Sequence, residues 1–203
     1  MEAVLRLKPD LVLVWQSGNT AGDVRRLAQW GIPVIALEAR ELSDVARHLA
    51  LIGELAGTPE TARKAASLYL KELGVLERTY RKASGVRVFY EIWHRPLMTV
   101  GQAQLISRAL EVCGGRNVFS DLSALTPTVS EEALLVRAPQ VIVIGASTKD
   151  AAARLAAWRA DPLFGPRIKR HEIALRYIDA DLLHRATPRL LIGVRDLCEA
   201  LRS

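Results

Sequence analysis

The sequence predicts an α/β protein: two lobes with parallel sheets joined by a long bridging helix, the first lobe incomplete. Three observations predict it. Glu2–Val14 repeats as Glu132–Ile144, with four of 13 positions identical, Pro9 meeting Pro139, and five more exchanging one aliphatic residue for another. Short β-branched runs alternate with amphipathic stretches, a pattern that demands parallel strands with helices on their faces. An amphipathic stretch over residues 58–83 is long enough to run from one lobe to the next.

The elements follow in order. Residues 2–8 read as a helix stopped by Pro9, and 11–15 as a buried strand. Residues 17–20, Ser-Gly-Asn-Thr, form a turn before a helix over 23–30 that Gly31 ends. Residues 32–37 are a strand, and 43–56 a helix with Ser43 at its N-cap. Thr58 and Pro59 start the long helix, which Leu68, Leu73, Leu76 and Tyr80 mark and Ser84-Gly85 ends. Residues 86–92 are a strand, 102–113 a helix, and Gly114-Gly115 its stop. Ser130 caps the second copy of the repeat, whose strand is 141–144. A helix over 149–159, a strand over 173–178 and a helix over 188–201 close the chain. The organisation is a remnant of an N-terminal lobe over 1–57, a bridging helix over 58–84 and a C-terminal lobe over 85–203, with both lobes Rossmann-like. The second copy of the repeat has some 45 residues of its own lobe ahead of it and the first has none, so the first lobe is expected to lack its front strands.

Half of the 203 residues are hydrophobic, and the formal charge is +6. The cations are scattered without a recognition motif or aromatic interleaving, which argues against a nucleic-acid partner. The longest apolar run, 11–15, is far short of the roughly 20 residues a membrane span needs. His48, His94, His171 and His184 have no metal-binding spacing, and there is no CxxC, GxGxxG, Walker or GxSxG motif. Neither a catalytic nucleophile with its base nor a resident metal or cofactor is expected, so the reading is not an enzyme. Cys113 and Cys198 each lie on an apolar helix face. They are either two thiols packed in a core or a bond that closes 85 residues of sequence and places the protein in an oxidising compartment.

The runs LEVCGGRNVFSDL, PTVSEEALLVRAPQVIVI and DADLLHRATPRLLIGVRDLCEAL, with EAVLRLKPDLVLVW, QSGN and GIPVI before them, resemble the periplasmic cobalamin-binding proteins of ABC importers. More broadly they resemble the helical-backbone class of solute-binding proteins, which also serve siderophores and haem. The resemblance covers nearly the whole chain. It implies a ligand, cobalamin or another corrinoid, held between the lobes and delivered to the importer's permease subunits. It also implies a periplasmic location, or a tether to the outer face of the cytoplasmic membrane, with the membrane approached only through the permease.

Trp15 falls on that family's cleft tryptophan, and Asp181 and Arg185 on a pair that contacts the corrin's amide side chains. Met98 stands where the family has an aromatic, with Tyr90, Trp93 and His94 nearby to compensate; Thr126 stands where it has a tryptophan. Glu132 matches the carboxylate with which the second lobe docks on the permease. In the first lobe the aligned residue is Ala21, and Asp23 is the nearest substitute. The periplasmic setting favours a Cys113–Cys198 disulfide. An iron-siderophore or haem binder of the same architecture, and a cytosolic interaction module without a small ligand, are the alternative readings.

Overall fold

The computed structural model describes residues 1–80 and 85–202. Its packing divides the chain into two compact units, Met1–Ala39 and Arg40–Ser203. Both are α/β with parallel strands.

The N-terminal unit runs α1 (Glu2–Arg6), β1 (Val12–Trp15), α2 (Ala21–Gln29) and β2 (Val34–Leu37). β1 and β2 pair in parallel, Val12 opposite Val34 and Trp15 opposite Leu37. Thr20 caps α2 through a reciprocal pair: its hydroxyl accepts from the Asp23 N–H at 3.2 Å and donates to the Asp23 carboxylate at 2.8 Å. This satisfies an otherwise orphaned helix donor. Leu27 is the face of α2 that is buried.

The C-terminal unit begins with α3 (Asp44–Leu55) and α4 (Pro59–Tyr80). At 22 residues α4 is about 33 Å long. The predicted helical residues 81–83 and the Ser84 stop lie outside the described residues. α3 and α4 pack tightly enough that a Cβ on Gly53 would lie 2.0 Å from that of Ala62. Ser43 sits at the N-cap position but makes no capping bond. The neighbouring Asp44 carboxylate is buried and accepts from the backbone N–H groups of Arg40 and Glu41 instead, because its longer reach folds the preceding turn back on the helix.

The sheet is built from β3 (Val86–Glu91), β6 (Gly115–Asn117), β7 (Val141–Ala146) and β8 (Ala174–Asp179), ordered β6-β3-β7-β8 and parallel throughout. Between β3 and β6 the chain forms the antiparallel pair β4 (Trp93–His94) and β5 (Leu97–Met98), then α5 (Leu105–Val112). After β6 come α6 (Glu131–Arg137), α7 (Thr148–Ala160), α8 (Gly165–Lys169), α9 (Ala180–Leu183) and α10 (Leu190–Arg202).

Helix α5 starts three residues later than the sequence pattern suggests, because residues 101–103 form a loop and Gln104 supplies the cap. Gly114, with φ +73°, stops the helix as expected, but Gly115 belongs to β6, where a Cβ would press on Leu201 and Val88. Strand β6 is short and polar, so neither β-branched content nor alternation announces it. Its Asn117 is buried and fully used: the amide donates to Val100 O and Ser107 Oγ, and its oxygen accepts from Phe119 N.

The core lies under α6, α7 and α8. Phe89 meets Phe119 and Trp158 edge-on with ring centroids 6.0 Å apart in each case, and Trp158 meets Phe164 at 5.2 Å. On the other face a disulfide joins Cys113, at the end of α5, to Cys198 in α10. It closes 85 residues, which in the chain-entropy model stabilises the fold by about 4.5 kcal/mol. Unfolding by guanidinium with and without a reductant is expected to show a loss of about that size. A midpoint unmoved by reduction would exclude a stabilising bond.

Candidate functional site

Parallel strands emerge from a sheet at one edge, and open α/β sheets present ligand crevices at their C-terminal ends. In the C-terminal unit that edge carries a cavity of about 450 Å³. Glu91 at the end of β3, Gly145 and Ala146 at the end of β7, and Ala180 and His184 after β8 line it, with Trp93 on the β4–β5 hairpin. Arg154 from α7 completes the wall.

The hairpin is held from behind. Thr99, fully buried, donates its hydroxyl to Tyr90 O at 2.8 Å, and its N–H bonds Pro127 O at 3.0 Å. Ile92 N–H reaches Met98 O at 3.0 Å. Trp93 remains 57% exposed, its indole N–H donating to Arg95 O at 3.0 Å, with the His94 ring tilted beside it.

Tyr90 is placed differently from its neighbours. Its side chain is wholly buried, and its hydroxyl lies 3.0 Å from His184 Nε2. Burial pushes the phenol far above its ordinary range, so it stays protonated. Burial also lowers the His184 pKa, against the pull of Asp181 and Asp179. The approach is close because Gly145 has no side chain: a Cβ there would lie 2.2 Å from Tyr90 Oη and 2.6 Å from His184 Nε2. Tyr90 thus meets His184, a lining residue of the cavity, and is not itself on that lining.

Asp181 and Arg185 pair at 2.9 Å, one turn apart around the short α9, and both stay more than half exposed. Asp179 caps that helix through the Asp181 N–H. Trp93, Met98, Asp181 and Arg185 all belong to the C-terminal unit, with Met98 opposite Trp93 across the hairpin. Trp15 belongs to the N-terminal unit, at the C-terminal end of β1. It is 38% exposed and lies over Gly18, whose Cβ would be 3.1 Å from its ring. Glu38 fixes the turn beside it, accepting from Ser17 N–H at 2.9 Å and Ser17 Oγ at 3.2 Å.

Glu132 is exposed in the first turn of α6, its carboxyl held below the usual range by its own backbone N–H and the Ser130 hydroxyl. Asp23 accepts one bond from the Thr20 hydroxyl at 2.8 Å. The sequence reading missed Glu91, Gly145, Arg154 and His184. A charge ending the run Val-Phe-Tyr-Glu was the available signal for the first of these.

Because folding holds the His184 pKa down, the unfolded chain takes up the proton first as pH falls through about 6.5. Stability contributed by the neutral imidazole is whole above that pH and declines below it. Melting temperatures between about pH 7.5 and 5.5 are expected to fall less in His184→Gln than in the wild type. Identical pH slopes in the two would contradict the burial of a neutral imidazole.

Comparison with known proteins bears on this geometry. The periplasmic binding protein family model matches residues 1–165. A vitamin B12-binding protein of Pectobacterium carotovorum subsp. carotovorum (strain PC1) is 34% identical over 203 residues, covering 99% of this chain and 70% of the relative. The crystal structure of the periplasmic vitamin B12 binding protein BtuF of Vibrio cholerae superposes with a TM-score of 0.84 at 30% identity, over 99% of this chain and 77% of that one. The periplasmic heme-binding protein BhuT in complex with two hemes shares the fold, with a TM-score of 0.82 at 23% identity, over 98% of this chain and 79% of that one.

Proposed function

The chain belongs to the periplasmic binding protein family, and from that premise we propose that it captures cobalamin or a related corrinoid for an ABC importer. The observation that carries the reading is the strand-end cavity of the C-terminal unit, lined by the exposed Trp93 and, after β8, by Ala180 and His184, which are sequence neighbours of the Asp181–Arg185 pair. Two relatives of 30% identity or more, each matched over nearly all of this chain, are named for vitamin B12 binding.

A corrin is a broad, largely apolar disc with carboxamide arms. Trp93 and Met98 offer it flat or adaptable apolar area. Asp181 and Arg185, already paired with each other, offer an acceptor and donors to amides without burying a lone charge. Tyr90 holds His184 of the cavity lining. In this reading residues 1–57 and 85–203 are the two lobes and 58–84 the bridge. The periplasm is the compartment, where the Cys113–Cys198 disulfide is stable. Glu132 and Asp23 are the carboxylates offered to the permease. The protein acts as a carrier, without catalysis.

Calorimetric titration with cyanocobalamin is expected to give one equivalent bound at micromolar or tighter affinity, with Trp93→Ala about fivefold weaker. Failure to bind cyanocobalamin, alongside binding of haem or a ferric siderophore, would replace the corrinoid by an iron chelate in the same architecture.

A further inference from the structure

Resting on the corrinoid reading, we infer that Arg154 is a specificity-determining residue of the cavity, braced by Glu91 so that its free guanidinium edge donates to a neutral carboxamide oxygen of the ligand.

Glu91 is only 2% exposed at the C-terminal end of β3. Its two carboxylate oxygens accept from Arg154 Nε and Nη2, both at 2.8 Å, and the Trp158 indole N–H donates to one of them. Two parallel bonds to a planar fork fix the guanidinium in orientation as well as position. The Arg154 side chain keeps 19% of its surface, and it lines both this cavity and a neighbouring one shared with His94, Glu131 and Asp161. Among the described residues nothing bonds its Nη1.

Stability does not explain such a pair. Two charges taken out of water regain little more than their desolvation cost, and apolar residues of similar volume commonly do as well. Trp158 needs only one acceptor for its indole N–H, which a neutral side chain at position 91 would provide. What the ionic version adds is a donor held rigidly in the cavity wall.

The charge balance selects the ligand group. Glu91 and Arg154 cancel, His184 is held toward its neutral form, and Asp150 adds a negative charge to the lining. Among the described residues, the lining itself supplies no net positive charge to offset the dehydration of a phosphate or carboxylate. A directional N–H donor in such a setting suits a neutral carbonyl. A corrinoid carries these as its peripheral carboxamides.

The test measures affinities for cyanocobalamin and for dicyanocobinamide, which keeps the carboxamides but lacks the phosphodiester and the nucleotide base. Arg154→Lys keeps a cation opposite Glu91 and removes the third donor. Glu91→Gln/Arg154→Met removes both charges, leaving none buried and unpaired. Each is expected to bind both corrinoids about tenfold more weakly than the wild type, with unchanged circular dichroism. Glu91→Gln alone, which frees the arginine from its brace, is expected to weaken both in the same direction. Wild-type affinity for both ligands in Arg154→Lys and in the double variant overturns the inference, as does a loss confined to cyanocobalamin, which would make the phosphodiester the partner. Wild-type affinity in Glu91→Gln overturns the bracing. A wild-type protein that binds neither corrinoid overturns the functional reading first, and this inference with it.

Discussion

Burial of the two middle strands of the larger sheet sets the terms for everything else in the C-terminal unit. Val88, Phe89 and Tyr90 of β3 and Ile142, Val143 and Ile144 of β7 have no accessible surface, as helices cover both faces. A strand buried on both sides cannot carry polar side chains along its length, so chemistry is displaced to its ends. Glu91 and Gly145 are where that displacement begins. One places a carboxylate among donors, and the other removes a side chain so that Tyr90 and His184 can meet. The cavity is thus a consequence of how the sheet ends, and its polar groups are positioned by the packed apolar part beneath them.

The two units share more of this logic than the 13 repeated residues indicate. In each, a short helix ends in a non-glycine residue of left-handed conformation, Lys8 at φ 46° and Ala138 at φ 47°, directly before proline. A parallel strand follows, then a helix capped by a hydroxyl that exchanges hydrogen bonds with an aspartate three residues on. The partners are Thr20 with Asp23 in one unit and Ser147 with Asp150 in the other. A second parallel strand pairs with the first in both. Left-handed backbone at a residue with a Cβ costs about 1 kcal/mol, so its recurrence at matched positions is a shared solution to the same sharp reversal before a strand. What differs is the residue delivered at the strand end: Trp15 in one unit, the small Gly145 and Ala146 in the other.

Much of this was legible from residue pattern alone. The apolar strands β1, β2, β3, β7 and β8 and the amphipathic helices stand within a few residues of their expected places, since period and burial coincide there. Cys113 and Cys198, each on an apolar helix face, do face one another. β6 escaped because Gly-Arg-Asn has no strand signature and is held by β3 and by the buried Asn117. The β4–β5 hairpin escaped because two-residue strands have no period. α8 and α9 are single turns made by local capping and packing, which pattern does not see. The expected ligand set shows the same limit. Trp93 lines the cavity and Asp181 and Arg185 are sequence neighbours of its lining residues Ala180 and His184, whereas Tyr90, alike in type to any exposed aromatic, is buried against His184. Arg154 gave no sign, because its significance depends on a carboxylate 63 residues earlier in the chain.

Hydrogen–deuterium exchange of the protein with and without cyanocobalamin tests most directly whether the strand-end edge of the C-terminal unit receives the ligand. Slowed exchange is predicted over residues 91–98, 145–154 and 180–185, with α5 and α10 on the disulfide face unchanged. Ligand-dependent protection confined to segments away from those strand ends would contradict it.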